Sequence, residues 1–396
     1  MSRPSDASLA MIRQLIEMPT VSRDSNLDLI HWIRDHLKGL GVASTLIPDA
    51  SGKKANLFAT LGPTDKPGIV LSGHTDVVPI DGQEWDTDPF KLVEKDGKLW
   101  GRGTSDMKSF VAIALAYAPK FLSGELKTPI HYAFTYDEEV GCLGAKQLMP
   151  VLAQMPVRPA ACIVGEPTEM QVIAQHKGKK SWRVDLRGFE CHSSLTHQGV
   201  NAVEAAAELI AHIKQIARRK RDQGPFDHEF APPYTSLHTG VVHGGTALNI
   251  VPKDASFLWE IRYLPQDDVD ALYQEVVDFA RTRLEPEMKA LRPECGCSFQ
   301  QISEFPGLAT DDTSPIIELG KALTGANRVQ KVSFGTEAGL FSELAIPTIV
   351  CGPGNIEQAH KPNEFIELEQ LKLCEDFLDR LLPRLRDGSA GLPTTS

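Results

Sequence analysis

A histidine and an aspartate two residues apart, His74 and Asp76 in SGHTD, stand just past an apolar run from Gly68 to Leu71, and Asp106 follows in WGRGTSDMK. The run reads as a buried strand, so the polar pair falls where its side chains leave the core, which is where open α/β sheets take ligands. Asp106 comes after a Gly-rich turn and before an apolar-periodic run over 107–121, at or near a helix N-terminus. Imidazole nitrogen and carboxylate oxygen are both good zinc ligands, and one carboxylate has two oxygens with which to bridge two ions. A lone His-x-Asp at a strand end is more often an ordinary polar loop. Three further residues of the same chemistry stand at predicted exits: Glu139 after a strand over 129–136, Glu166 after one over 161–164, and His360 beyond one over 347–351. Five coincidences are harder to assign to solvated loops than one.

The elements that must position these residues are legible as periodicity. Leu9, Ile12, Leu15 and Ile16 form a helical stripe that Pro19 ends, and Leu27, Ile30, Ile33, Leu37 and Leu40 form a second, entered through Ser25 or Asn26. Both are core. Strand-like runs over 43–47 and 55–60, with those already named and a helix over 145–153, predict a mixed α/β sheet. Near Lys180 the texture changes. Trp182, Val184 and Leu186 alternate as a half-buried strand, followed by a helix over 201–220, strands over 235–242 and 255–263, a helix over 269–284 and a strand over 297–303. That order, βαββαβ, is the ferredoxin-like arrangement, whose chain ends lie close enough for insertion into another domain. From Pro306 the α/β texture resumes, with helices over 314–323 and 368–385, and the polar tail from Asp387 reads as frayed. The expected division is a discontinuous domain of 1–179 and 305–396 around an inserted domain of 180–304.

Composition excludes several classes. The 396 residues are 42% apolar and 23% charged, ordinary for a globular protein with room for two cores. A net charge of −11 disfavours nucleic acid or an anionic membrane as partner. The basic run from Arg218 to Arg221 closes a helix, where cations suit the macrodipole. Seven irregularly spaced cysteines do not form a disulfide framework, and they read as free thiols. No signal segment or membrane-length apolar run is evident, so a cytoplasmic location is expected.

The ordered motifs SGHTDVVP, GRGTSDMK, the acids 137–139, VGEPT, HSS with GVNAVE, ALNIVP and GPGNIEQAHKPNE resemble those of the M20 metallopeptidases and amidohydrolases, over nearly the whole chain. The resemblance implies a zinc-hydrolase catalytic domain with two Zn²⁺. By that likeness Asp106 would bridge the ions, His74 and Glu166 would complete one site, and Glu139 and His360 the other. Cobalt or manganese are possible substitutes. It further implies that Asp76 orients the His74 ring, that Glu138 is the general base that deprotonates the attacking water and then protonates the leaving amine, and that His192 reaches the other subunit's active site to stabilise the oxyanion. The inserted domain is then a lid through which a homodimer forms. With two ions, three carboxylates and a hydroxide the centre is neutral, so a substrate carboxylate needs its own cation; the resemblance implies that Arg262 is that cation, at the family's carboxylate-binding position, and that Asn249 and the backbone at Gly335 and Thr336 complete the pocket. Within the family, FGTEAGLF and the GPG-to-AH segment are most similar to acetylornithine deacetylases, which implies hydrolysis of a small N-acyl amino acid, N2-acetyl-L-ornithine. Desuccinylase, general deacylase and dipeptidase activities share the same catalytic residues and differ in pocket shape. Loss of a ligand would mark a non-catalytic relative, and none is missing; the inserted lid argues against a single-domain aminopeptidase.

Overall fold

The structure, a computed structural model, describes residues 3–392. Two helices open the chain, α1 (Asp6–Ile16) and α2 (Leu27–Gly39), followed by β1 (Ser44–Pro48), β2 (Ala55–Leu61), β3 (Ile69–His74), β4 (Val93–Lys95) and β5 (Lys98–Trp100). Next come α3 (Lys108–Leu122), β6 (Ile130–Thr135), α4 (Leu143–Ala153), β7 (Ala161–Pro167) and β8 (Ile173–His176). A second stretch holds β9 (Gly178–Arg187), α5 (Ala202–Gln223), β10 (Ser236–Gly244), β11 (Asp254–Tyr263), α6 (Val269–Phe279), α7 (Glu285–Leu291) and β12 (Gly296–Phe305). The chain closes with β13 (Leu308–Ala309), α8 (Pro315–Thr324), β14 (Gln330–Val332), α9 (Ala338–Glu343), β15 (Thr348–Gly352), β16 (Phe365–Glu367) and α10 (Leu368–Asp387). Two compact units result. The smaller comprises His176–Gly307 with Val332–Gly335, and the larger the residues up to Gln175, Leu308–Lys331 and those from Thr336 onward.

The larger unit is built on a mixed sheet in the order β1-β2-β6-β3-β7-β15-β8-β13, with β14 paired to β8. Its centre is parallel: β3 pairs with β6 on one side and β7 on the other, and β15 continues beyond β7. Parallel strands are covered on both faces, which is why β3, β6, β7 and β15 are buried at every position. Helix α3 is buried almost all round, through Phe110, Val111, Ile113, Leu115 and Phe121, as a core helix rather than an amphipathic one. A three-stranded ribbon, β16-β5-β4, lies outside the periodicity-based expectation because its strands are three residues each, too short to show alternation. Helix α10 ends at Asp387, and Ala390 beyond it is buried, so the frayed tail expected there begins no earlier than that; its last residues, 393–396, lie outside the described region.

The smaller unit is an antiparallel sheet, β10-β11-β9-β12, whose chain order βαββαβ is the ferredoxin-like one. Trp182, Val184, Phe257 and Trp259 from the sheet and Leu209, Ile213, Leu272 and Val276 from the helices share one core, in which Trp182 stacks against Trp259 and Tyr273. The helix predicted over 269–284 does not stop there. A π-helical turn, Ala280–Leu284, carries it into α7. The buried residues Val276, Ala280, Leu284 and Met288 recur every fourth position, a spacing that drifts against 3.6 residues per turn, and the wider turn takes up the drift.

All seven cysteines are free, six buried and Cys191 partly exposed. Among the described residues no helix is long and apolar enough to cross a membrane.

Sheet and helix meet closely at the end of β7. A Cβ at Gly165 would lie 2.0 Å from Cγ of the buried Phe110, the base of the ring rather than its movable edge. Gly165→Ala is expected to overpack this contact and destabilise the protein by about 1–3 kcal/mol, read as a lower urea midpoint at unchanged slope.

Candidate metal centre

The parallel register delivers the acids and histidines to one edge. His74 ends β3 opposite Thr135 of β6, the chain after β6 turns at once through Asp137, Glu138 and Glu139, Glu166 lies near the end of β7, and the residues after β15 lead to His360. Each exit is a strand C-terminus, the place where a parallel sheet presents its ligands. The turn after β6 holds its shape through Asp137, whose φ is +52° and whose carboxylate pairs with the nearly buried Lys54 at 2.6 Å.

Asp106 is the centre of the cluster. Its Oδ1 lies 3.0 Å from His74 Nε2 and its Oδ2 lies 3.3 Å from His360 Nε2. Each histidine has a second carboxylate at hand: Glu166 Oε1 is 3.6 Å from His74 Nε2, and Glu139 Oε2 is 2.9 Å from His360 Nε2. The five residues read as ligands therefore come together as two sets of one imidazole and two carboxylates, sharing Asp106. Donors around a tetrahedral ion at about 2.0–2.1 Å stand roughly 3.3 Å apart, and the separations here fall on either side of that value. Donor atoms of His74, Asp106 and Glu139, and likewise of His74, Glu138 and Glu166, lie within 4.8 Å of one another.

The electrostatics describe a site short of positive charge. Burial pushes the Glu138 carboxyl up to about 8 and that of Glu139 to about 7, and burial with the nearby Asp106 charge raises Glu166 well above the usual range. Desolvation alone would lower His74, yet hydrogen bonds to Asp106 and Asp76 hold it well above its ordinary value. Contacts with Asp106 and Glu139 raise His360 to about 10. Against its own desolvation, Asp106 is held below the carboxylate range by the two histidines. Protons gather where a cation fits, and oxygen and nitrogen donors in this ratio suit a hard or borderline divalent ion.

Asp76 faces the His74 ring with two oxygens. The nearer to His74 Nδ1 is its main-chain carbonyl, at 2.8 Å, and a carboxylate oxygen lies 3.5 Å away. That carboxylate also accepts from the main-chain N–H groups of Glu138 (3.0 Å) and Glu139 (3.4 Å) and from the Ser22 hydroxyl (2.7 Å). It ties the His74 strand end to the turn that carries both glutamates. Sequence reading passed over Glu337, fully buried beneath the site, which accepts from Ser72 (2.6 Å) and Thr135 (2.7 Å) on the two strands that deliver His74 and the acidic turn. The only signal was its place in FGTEAGLF.

The remaining expected site residues are distributed as follows. His192, Asn249, Arg262 and Gly335 belong to the smaller unit. His192 is exposed, and its Nδ1 accepts from the Ser194 N–H at 3.2 Å, which puts the proton of the neutral ring on Nε2. Asn249 adjoins it, its carbonyl accepting from Ser193 N at 3.0 Å. Arg262 is partly exposed and donates Nε to Glu260 at 2.8 Å. At Gly335 a Cβ would lie 1.8 Å from the Phe305 ring, so only a bare backbone fits. Thr336, in the larger unit, is buried, and its hydroxyl accepts from Ala338 N at the start of α9 (3.0 Å).

With this geometry in view, the known proteins that the chain is similar to are informative. An acetylornithine deacetylase of Proteus mirabilis is 33% identical over 386 residues, covering 94% of this chain and 95% of that one. The same enzyme of Pasteurella multocida is 32% identical, covering 96% and 98%. Among solved structures, a tripeptidase of Staphylococcus aureus superposes with a TM-score of 0.75 at 19% identity, covering 98% of this chain and all of that one. A Bacillus subtilis protein described as a dinuclear metal-binding peptidase superposes with a TM-score of 0.65 at 16% identity, covering 96% and 98%. The sequence model of peptidase family M20/M25/M40 matches residues 70–384, most of the chain, and the protein belongs to that family.

Proposed function

We propose that the protein is a dinuclear zinc amide hydrolase that removes the acetyl group from N2-acetyl-L-ornithine, with two ions held by His74, Asp106 and Glu166 and by His360, Asp106 and Glu139. The observation that carries the chemistry is the shared carboxylate of Asp106, one oxygen facing each histidine. The choice of substrate is supported by the near full-length likeness to acetylornithine deacetylases. Bound ions supply Lewis acidity, polarising the amide carbonyl and making water acidic enough to attack at neutral pH.

The chain's own residues do the rest. Glu138 takes a proton from the attacking water and returns it to the departing amine nitrogen, a task suited to a carboxyl whose burial brings it toward neutral pH. Asp76 holds Glu138 and Glu139 through their main-chain N–H groups, so the base and a ligand keep their spacing. His192, with Nε2–H free to donate, is the oxyanion donor supplied across a homodimer. Support for that pairing lies in the smaller unit, where the edge strand β10 exposes Val241 and Val242, and Leu248 and Ile250 are exposed just beyond it, Ile250 bridged to His192. An apolar sheet edge of this kind is what a second copy can cover. Arg262, whose Nε donates to Glu260, is the anchor for the substrate carboxylate.

Chelator-treated protein is expected to unfold at a lower temperature than protein resupplied with zinc, with two equivalents needed for the full recovery; saturation at a thousandfold over Kd corresponds to about 4 kcal/mol. Replacing Glu138 by Ala should lower kcat by about 10²–10⁴-fold while equilibrium dialysis still finds two ions, and near-normal turnover would remove it as the base. His192→Ala should be slow alone yet regain activity when its subunits are exchanged with those of Glu138→Ala. A panel of N2-acetyl-ornithine, N-succinyl-diaminopimelate and simple dipeptides, followed by amine release, tests the substrate: preference for a member other than the first would reassign it within the family.

A further inference from the structure

His360 is the odd member of the cluster. Its side chain is 55% exposed, against 7% or less for His74, Asp106, Glu139 and Glu166, and its φ of +65° lies in the left-handed region. Packing does little to hold such a residue, so its main chain must be held instead. Gln83 Nε2 donates to the His360 carbonyl at 2.8 Å, and Arg102 NH1 donates to the next carbonyl, that of Lys361, at 3.2 Å. Arg102 also donates NH2 to Gln83 Oε1 at 2.6 Å, and its guanidinium lies over the Trp85 ring. The same guanidinium is paired at 2.8 Å with Glu364, and both side chains are essentially buried.

Glu364 is saturated with donors. Beyond Arg102 it accepts from the main-chain N–H groups of Gly103 (3.0 Å), Ser105 (2.8 Å) and Asp106 (3.0 Å). One carboxylate thus grips the loop that ends in Asp106 while belonging to the segment that contains His360, and one guanidinium joins it to the His360 turn. Removing one partner of such a buried pair leaves the other charge uncompensated, so the pair acts as a unit.

We propose that Gln83, Arg102 and Glu364 are positioning residues that form a clamp, setting His360 against Asp106 Oδ2 and so preforming one of the two ion sites. This rests on the reading that His360, Asp106 and Glu139 hold one ion of a pair. Gln83 reaches the Asp106 loop only through the Arg102 side chain, whereas Glu364 accepts directly from the main chain of that loop, Asp106 included, so their substitutions differ in reach.

The test titrates full-length, chelator-treated protein with Co²⁺, following visible absorption and heat so that the two equivalents are resolved. Gln83→Leu is expected to weaken one equivalent by about 10–100-fold, leaving the other and the unfolding temperature of the metal-free protein unchanged. Gln83→Glu, which retains an acceptor for Arg102 but cannot donate to the His360 carbonyl, should show the same selective loss. Glu364→Gln should weaken both equivalents; if that variant does not fold, the two Gln83 variants decide the matter. Two equivalents bound by Gln83→Leu as tightly as by the parent protein would overturn the clamp. So would an equal loss in both equivalents accompanied by a lower metal-free unfolding temperature, the mark of general loosening. Failure of the parent protein itself to bind a pair would remove the ligand assignment and the clamp together, an outcome distinct from either.

Discussion

Negative charge gathered out of water is the constraint on which this architecture turns. Asp76, Asp106, Glu138, Glu139 and Glu166 crowd one sheet edge with two imidazoles among them, and the carboxyls of the three glutamates are pushed up by burial. Such a group is tolerable only with compensating positive charge in the middle and hydrogen bonds around the rim. The rim is visible in full: Asp76 on the main chain of the acidic turn, Lys54 on Asp137, Glu337 between two strand hydroxyls, and Glu364 on the Asp106 loop. Four parallel strands supply the geometry, since their carboxyl ends fall at one level whatever the length of chain between them.

Much of the architecture could be read from periodicity. Strands β3 and β7 are short apolar runs that stop at a polar residue, and α1, α2 and α10 carry stripes with clear ends. What escaped was whatever lacks a period. The ribbon β16-β5-β4 is too short to alternate, β8 and β13 are four and two residues long, and the π-turn at Ala280–Leu284 hides inside an uninterrupted apolar stripe. Val332–Gly335 joins the smaller unit across a long gap in sequence, a return that no local pattern announces.

Legibility within the site followed a similar line. His74, Asp106, Glu139, Glu166 and His360 stand out because a polar residue at the end of a buried strand is conspicuous, and the structure brings them together. The residues that steady them are inconspicuous, because an acid such as Glu364 in a polar loop looks solvated until its four donors are seen. For Asp76 the sequence suggests a partner for the imidazole, yet which of its oxygens lies nearest the ring depends on backbone torsions that residue types alone do not specify.

The distribution of thiols has a practical consequence. Cys142, Cys162, Cys295, Cys297, Cys351 and Cys374 are enclosed, and burial pushes each thiol above its usual range, which keeps the reactive thiolate scarce. Cys191 alone is partly open to solvent, and it is the chain neighbour of His192. A maleimide dye or nitroxide added to the native protein would therefore report from that segment with little background, without a cysteine having to be engineered in or out.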